Sequence, residues 1–156
     1  MNTRVLFGLA MIVAALTPAA AIAQGSPQEA LRFISTDGAP KPAGPYSQGV
    51  AYGGLLHVAG QTHRDPVTGK PVTDSLEAAA NRALDNVEAI LKADGLDWSD
   101  VIKVNVYLTK PEDFAPLNVV YAKRLRNAKP ARTTLIVAAM PNGSLLGIDA
   151  IARTKK

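Results

Sequence analysis

The sequence predicts an α+β domain in which a single mixed β-sheet carries two helices on one face. Two segments repeat apolar residues at helical spacing, and the other regular segments alternate apolar and polar residues or form short apolar runs. Their order is β-β-α-β-α-β-β, with a strand after each helix. One sheet with both helices on the same side is the simplest packing for that order.

The first strands are predicted to form an edge strand and a hairpin. Residues 33–36, "FIST", are typical of a short edge strand. Residues 49–61, "GVAYGGLLHVAGQ", divide into two runs around Gly53 and Gly54. Two glycines between strand-like runs predict a two-residue hairpin turn.

The first helix is predicted from residues 75–95, where six apolar residues fall on one stripe: Leu76, Ala80, Ala83, Leu84, Val87 and Leu91. Asp74, three residues before Glu77, has the spacing of a capping box. Gly95 followed by Leu96 predicts a Schellman stop in which Leu96 packs back toward Leu91.

A strand and a second helix follow. Residues 101–109, "VIKVNVYLT", alternate, which predicts a strand with Ile102, Val104, Val106 and Leu108 on one face. Residues 113–126 carry a second helical stripe of Leu117, Val120, Tyr121 and Leu125. Pro116 then lies in the first turn of that helix, where its missing N–H costs nothing.

The chain is predicted to close with a hairpin. The runs "ARTTLIVAAM" and "SLLGIDAIAR" flank Asn142 and Gly143, a frequent turn pair. The sheet face without helices would still carry apolar side chains, including Val58 or its neighbours and much of residues 134–140. In a domain this small, self-association is the simplest way to cover such a face.

The N-terminus has the layout of a secretory signal peptide. Arg4 precedes the apolar run "VLFGLAMIVAAL", and "AIA" before Gln24 is a small-residue cleavage site. We therefore predict cleavage after residue 23 and a periplasmic or secreted mature protein. A membrane anchor is the alternative, but the run is shorter than the ~20 residues of a spanning helix, and Pro18 interrupts it.

Composition excludes several classes of site. The chain of 156 residues has no cysteine, so disulfides, thiolate metal sites and a cysteine nucleophile are absent. Its net charge of +4 includes the terminal "RTKK", which is more typical of a solvated tail than of a nucleic-acid arm. No spacing of histidines with carboxylates indicates a metal site, and no glycine-rich loop indicates a phosphate site.

Five motifs in order resemble the RidA/YjgF family of reactive-intermediate deaminases, also described as perchloric-acid-soluble translation inhibitors. They are "GPYSQG" (44–49), "AGQ" (59–61), "DFAPLNVVY" (113–121), "PAR" (130–132) and "IDAIA" (148–152). The predicted organisation is a signal peptide (1–23), a loose lead-in (24–33), a RidA-like domain (34–153) and a basic tail (154–156).

The resemblance implies a chorismate-mutase-like fold, assembled as a homotrimer with clefts between subunits. It implies hydrolysis of small 2-imino or enamine acids, such as 2-iminopropanoate and 2-iminobutanoate, to 2-oxo (2-keto) acids and ammonia. It implies no cofactor and no metal. The expected partners are the small acid and two further copies of the chain, without nucleic acid or, once the signal peptide is removed, a membrane.

The resemblance also assigns residues, beginning with Arg132 as the clamp for the substrate carboxylate. A guanidinium meets a carboxylate with two parallel hydrogen bonds, which supports that role independently. The alternative is an ion pair with an acid of a neighbouring subunit. Tyr46 would line the cleft or simply pack in its turn, and Asn118 would contact ligand or brace a loop. Thr134 and Gly60 complete the expected binding residues, with Gly60 serving backbone geometry more than contact.

Three positions depart from the pattern of the deaminases. Gly147 stands where the resemblance implies a glutamate that positions the hydrolytic water. Thr134 stands in place of a cysteine, and Ala59 in place of a serine. Losing a positioned acid or base typically costs ~10²–10⁴-fold in rate. Gly147 also predicts room for a larger ligand.

Substitutes for the missing acid are few. Asp149 points to the same side of its strand as Gly147 and is a candidate catalytic residue, with a salt bridge between subunits as the alternative role. His57 is more typical of a packing histidine. His63, just after "AGQT", is the better-placed candidate base because histidine titrates near neutrality.

Three functions therefore compete. The first is a RidA-like deaminase of weak or altered activity. The second is a non-catalytic periplasmic protein that binds or senses small carboxylates, which Gly147 and export both favour. The third is a ribonuclease or translation inhibitor, ranked last because the sequence shows no basic stripe interleaved with stacking aromatic residues.

Overall fold

The computed structural model describes residues 30–155, and the predicted signal peptide lies outside the described residues. The strands are β1 (Arg32–Ile34), β2 (Gly49–Tyr52), β3 (Leu55–Thr62), β4 (Val101–Leu108), β5 (Ala131–Ile136) and β6 (Leu146–Arg153). The helices are α1 (Leu76–Ala93) and α2 (Phe114–Leu125), and short 3₁₀ turns cover Trp98–Asp100, Pro111–Asp113 and Pro141–Gly143. The sheet thus begins at Arg32, inside the predicted lead-in.

The six strands form one mixed sheet in the order β1-β2-β3-β6-β4-β5. Only β4 and β5 are parallel among these neighbours; the other pairs are antiparallel. The apolar stripes of α1 and α2 pack with alternate residues of the strands in one core. The predicted α+β fold with two helices on one face is confirmed.

The first hairpin is confirmed, and its turn follows from the two glycines. Gly53 and Gly54 have φ of 60° and 78°. Positive φ at both central residues is the type I′ geometry, whose twist matches that of the flanking strands. β2 then pairs with β3 in the register Ala51 with Leu56, and both side chains are buried.

The predicted closing hairpin is wrong. β5 lies at the sheet edge, parallel to β4, whereas β6 runs between β3 and β4. α2 supplies the crossover that two parallel strands require. β6 is buried along most of its length, so it gains from neighbours on both sides, and the more exposed β5 is suited to the edge. Asn142 and Gly143, at φ of 56° and 68°, turn the connection instead.

Helix α1 begins one residue later than predicted and ends as predicted. The cap is Ser75, whose extended backbone lets its hydroxyl accept from the Ala78 N–H at 3.0 Å, so the capping box at Asp74 is wrong. At the other end, Gly95 has a φ of 72°, and the Leu96 N–H donates to the Leu91 carbonyl at 2.9 Å. This hydrogen bond confirms the Schellman stop.

The predicted inward face of β4 is right for three residues and wrong for Ile102. Val104, Val106 and Leu108 are fully buried, whereas Ile102 is 49% exposed. The pairing of β4 with β6 shifts between Val101 and Lys103, so that the bulge turns Val101 inward and Ile102 outward.

The sheet face opposite the helices is open and partly apolar. Phe33, Tyr52 and Leu135 project from it and are 68%, 46% and 51% exposed. Val58, expected on this face, is buried under α1, and its neighbour His57 projects outward instead. The register explains this, because Val58 shares its face with Ala150 of β6 in the core.

The last described residues, Thr154 and Lys155, are tied to the domain. The Thr154 N–H donates to the Gly54 carbonyl at 2.9 Å, and the Lys155 ammonium lies 2.9 Å from the Asp100 carboxylate. Lys155 is therefore a paired residue rather than part of a free basic arm. Within residues 30–155, helices long and apolar enough to cross a membrane are absent.

Candidate ligand-binding site

A cavity of about 510 Å³ opens where the loop between β1 and β2 crosses the ends of β3, β4 and β6, and we call it the Tyr46 cavity. Its walls are mixed polar and apolar. The lining residues are Pro40, Lys41, Ala43, Tyr46, Gln48, Gly60, Gln61, Thr62, Arg64, Tyr107, Met140, Pro141, Asn142, Ser144 and Gly147. Tyr46 and Gly60, which the sequence placed in a cleft, both lie here.

Tyr46 is held by its own turn. Its hydroxyl oxygen accepts from the Ala43 N–H at 3.0 Å, so the hydroxyl proton remains able to donate. Tyr46 is 54% exposed, more than expected of a packing tyrosine. The buried Gln48 fixes the loop from below, because its amide donates to the Thr36, Ala39 and Pro40 carbonyls.

Gly60 leaves part of the cavity wall open. The pairing of β3 with β6 shifts between Val58 and Gln61, so Gly60 lies at an irregularity in the strand. A Cβ atom at Gly60 would meet nothing within 4 Å. Close packing of its surroundings therefore does not require a glycine, and a side chain here would project into free space beside the cavity.

The space beside Gly147 is filled rather than free. A Cβ atom at this position would lie 2.6 Å from the Met140 Cε, well inside van der Waals contact. The expectation that Gly147 leaves room for a larger ligand is therefore wrong for this conformation. Met140 has a flexible side chain and its contact is made by its last atom, so it can move aside.

Asp149 lies behind the cavity wall. Its carboxylate accepts from the Asn105 amide at 2.8 Å and from the Tyr107 hydroxyl at 3.0 Å. This hydrogen bond raises the pKa of the Tyr107 hydroxyl. Tyr107 lines the cavity and Asp149 does not, so the Asp149 carboxylate is connected to the cavity only through its hydrogen bond with the Tyr107 hydroxyl.

Arg132 does not line the Tyr46 cavity. It lies on the helix side of β5, where its guanidinium donates to the Asn118 side-chain oxygen at 2.7 Å. The same group lies 4.7 Å from the Tyr121 ring centroid and 5.8 Å from that of Phe114. We call these four residues the arginine cluster. Stacking and one amide fix the guanidinium, and no carboxylate of residues 30–155 forms a salt bridge with it.

Two buried hydroxyls near the arginine cluster have no hydrogen-bond partner within residues 30–155. They belong to Tyr121 and to Thr134, which shares the face of Arg132 two residues along β5. Burial raises the pKa of Tyr121, although the nearby Arg132 guanidinium opposes the shift. Buried polar groups are normally paired, so this region is suited to a ligand or a neighbouring chain that brings acceptors.

His63, the predicted candidate base, is a structural residue. It is 1% exposed, and its Nε2 accepts from the Leu145 N–H at 2.9 Å. Burial lowers its pKa and so keeps the ring neutral. His57, expected to pack, lies exposed on the open face opposite Ile151.

We expect His63 to make the protein less stable in mild acid. The unfolded chain takes up a proton near pH 6.5, whereas the folded chain does so only at lower pH, so the free energy of unfolding falls as the pH drops below about 6.5. Replacing His63 with glutamine should therefore reduce the drop in melting temperature between pH 7.5 and 5.5. His57→Gln is the matched control, and an identical drop in both variants and the wild type would contradict the assignment.

Sequence reasoning missed several residues of the site. Lys41 and Arg64 flank recognised motifs without belonging to them, and the sequence predicts Met140 only as the end of a hairpin strand. Tyr107 could have been found, because alternation along β4 places its side chain on the sheet face opposite to that of the buried Val106. Lys41, Arg64 and Met140 lie in loops, whose course the spacing of apolar residues does not predict.

Comparison with known proteins identifies the family. Residues 36–154 match the family model described as Endoribonuclease L-PSP. The match covers more than half of the chain, and the chain belongs to this family, which is the RidA/YjgF family that its five motifs predicted.

The relatives and solved structures agree with this. A RutC family protein of Pyrococcus horikoshii is 45% identical over 119 residues, which are 76% of this chain and 94% of that protein. The human 2-iminobutanoate/2-iminopropanoate deaminase is 40% identical over 121 residues, which are 78% of this chain and 88% of that protein.

Among solved structures, Escherichia coli TdcF with bound serine superposes with a TM-score of 0.76 at 36% identity, covering 80% of this chain and 99% of that one. A Thermotoga maritima chain described as a putative endoribonuclease gives a TM-score of 0.77 at 41% identity, with coverage of 80% and 98%. These neighbours confirm the chorismate-mutase-like fold.

Proposed function

We propose that this protein binds small 2-imino and 2-oxo carboxylic acids and hydrolyses the imines to 2-oxo acids and ammonia, at a reduced or altered rate. The observation that carries the proposal is Arg132, a half-buried guanidinium that is oriented by Asn118 and Tyr121 and forms no salt bridge with residues 30–155. A fixed guanidinium without an acid partner is suited to a carboxylate ligand. Family membership and 40% identity to named deaminases support the reaction class.

The reaction requires little more than orientation. Water adds to C2 of the protonated imine, and the resulting carbinolamine expels ammonia as its hydroxyl becomes the carbonyl of the 2-oxo acid. Arg132 would hold the carboxylate on C1. The Tyr107 hydroxyl donates to Asp149 and can accept a hydrogen bond from the attacking water. Gly147 contributes no acid or base of its own.

The complete site would form between subunits. Within one chain the Tyr46 cavity and the arginine cluster are separate, because Arg132 lies on the helix side of edge strand β5 and does not line the cavity. A second copy that covers the open sheet face could bring its arginine cluster to the cavity. Three such contacts, related by a threefold axis, would close a homotrimer.

Assembly and binding can be tested together. We expect sedimentation to give three times the mass of the mature chain, and calorimetry with 2-oxobutanoate to give one bound ligand per subunit. A monomer at micromolar concentration that binds the acid normally would contradict the shared site. A trimer that binds neither 2-oxobutanoate nor 2-oxopropanoate would contradict the proposed function itself.

A binding or sensing protein is the second candidate, favoured by the absence of a side chain at Gly147. It predicts the same ligand affinity without release of ammonia from 2-iminobutanoate generated in solution. Ribonuclease activity ranks third. The family and the Thermotoga maritima structure are both described as endoribonucleases, while the lining of the Tyr46 cavity includes one exposed stacking aromatic residue, Tyr46.

We further propose that residues 1–23 are removed as a signal peptide and that the mature protein acts outside the cytoplasm. The support is the sequence alone: a positive start, an apolar run and a small-residue site before Gln24. Mass spectrometry of the protein from its native host tests this, and retention of residues 1–23 would refute it.

A further inference from the structure

The Tyr46 cavity is lined by two charged residues, Lys41 and Arg64, and both are cations. They come from different loops, Lys41 from the loop between β1 and β2 and Arg64 from the segment just after β3. Both also line an adjoining pocket that continues over the loop Asp65–Gly69. The two positive charges therefore sit where the cavity opens into this pocket.

Arg64 is held in place by hydrogen bonds to both its backbone and its side chain. The Asn86 side-chain amide, buried on α1, donates to the Arg64 carbonyl at 2.8 Å, and Arg64 pairs across the loop with Pro71. Its guanidinium donates to the Gly69 carbonyl. The backbone and one end of the side chain are thus fixed, and the other N–H groups have no hydrogen-bond acceptor within residues 30–155.

Asp65 follows Arg64 in the chain, and its carboxylate is held by its own loop rather than by the two cations. The Asp65 carboxylate accepts from the Thr68 N–H at 2.8 Å, from the Thr68 hydroxyl and from the Val67 N–H, and its other oxygen faces Arg82 at 3.9 Å. These contacts lower the pKa of Asp65 and keep it turned into its own loop. Neither Lys41 nor Arg64 forms a salt bridge with residues 30–155. Asp65 lines the adjoining pocket but not the Tyr46 cavity, so within the cavity lining the charged side chains are both positive.

We propose that Arg64 and Lys41 form a second anion subsite, so that the preferred ligands are 2-oxo and 2-imino dicarboxylates. This inference rests on the proposed function. The carboxylate on C1 binds Arg132 of a neighbouring copy, and the terminal carboxylate of a five-carbon acid binds the two cations. Arg64 supplies directional hydrogen bonds and Lys41 supplies a mobile charge.

The test compares two ligands of the same chain length, 2-oxopentanoate and 2-oxoglutarate, which differ by the terminal carboxylate. We expect the wild type to bind 2-oxoglutarate more tightly by roughly tenfold to a hundredfold, the effect of a charge-assisted hydrogen bond. Arg64→Gln should remove most of this preference and Lys41→Gln a smaller part, because each should weaken binding of 2-oxoglutarate more than binding of 2-oxopentanoate. Arg126→Gln removes one charge from an exposed residue outside the cavity and should change neither affinity.

The outcomes separate the two proposals. If 2-oxopentanoate binds and depends on Arg132, but 2-oxoglutarate binds no better or its preference survives Arg64→Gln, the second subsite is refuted and the proposed function stands. If neither acid binds while 2-oxobutanoate does, the second subsite is refuted and the proposed function stands, whereas failure of all three acids to bind would refute both. Equal losses for the two ligands in Arg64→Gln would refute the subsite as well, because they would show a distorted loop rather than a lost contact.

Discussion

Replacing Arg132 with alanine should weaken binding of 2-oxobutanoate by at least one to two orders of magnitude. The change removes a charge-assisted contact of about 1.5–3 kcal/mol. Arg132→Lys keeps the charge but loses the planar fork and the stacking on Tyr121, so we expect an intermediate loss. Calorimetric titration gives the affinities, and kcat/KM for 2-iminobutanoate should fall in the same order.

A structural role for Arg132 would give a different pattern. In that case Arg132→Ala would keep its affinity, or would lose it together with its subunit assembly in sedimentation. The first result would mean that the guanidinium serves Asn118 and the aromatic rings alone. The second would favour an ion pair with an acid of a neighbouring subunit. Arg126→Ala, with the same loss of charge at an exposed position, controls for net charge.

Introducing glutamate at Gly147 should raise the rate of 2-iminobutanoate hydrolysis by roughly 10²-fold or more, the usual contribution of a positioned acid or base. The backbone permits this, since Gly147 does not have the positive φ of the turn glycines. The obstacle is the Met140 Cε, 2.6 Å from the new Cβ. We therefore expect the full gain in Gly147→Glu combined with Met140→Ala, and a smaller gain in Gly147→Glu alone.

Two controls identify the source of the gain. Gly147→Gln with Met140→Ala has nearly the same shape without an ionisable group and should remain as slow as the wild type. Met140→Ala alone tests whether opening the wall has an effect of its own. A wild type already as fast as the human relative would overturn the assigned defect and direct attention to Tyr107 and Asp149. Asp149→Asn would then be the decisive variant, because His63 is buried and already bonded to Leu145.

Local patterns predicted the elements because their causes are local. The stripe on α1, the stop at Gly95 and the turn at Gly53-Gly54 depend on neighbouring residues in the chain, and each is present. The cap at Ser75 was missed because Asp74 and Ser75 are both suited to cap the helix. The exposure of Ile102 was missed because a bulge shifts the register by one residue and so reverses the face of the strand. The family, too, could be read from five short motifs, and the family model agrees.

What the sequence alone determined is therefore the kind of elements, their order and the family; the tertiary structure decided which strands are neighbours and what fills the site. Alternation shows that β5 and β6 are strands but not that β4 separates them, because pairing depends on burial across the whole sheet. Gly147 has no side chain, yet the side chain of Met140, seven residues away in the chain, occupies the space where one would lie. Lys41, Arg64 and Tyr107 meet in one cavity for the same reason: proximity in space is set by packing, which no local pattern of residues records.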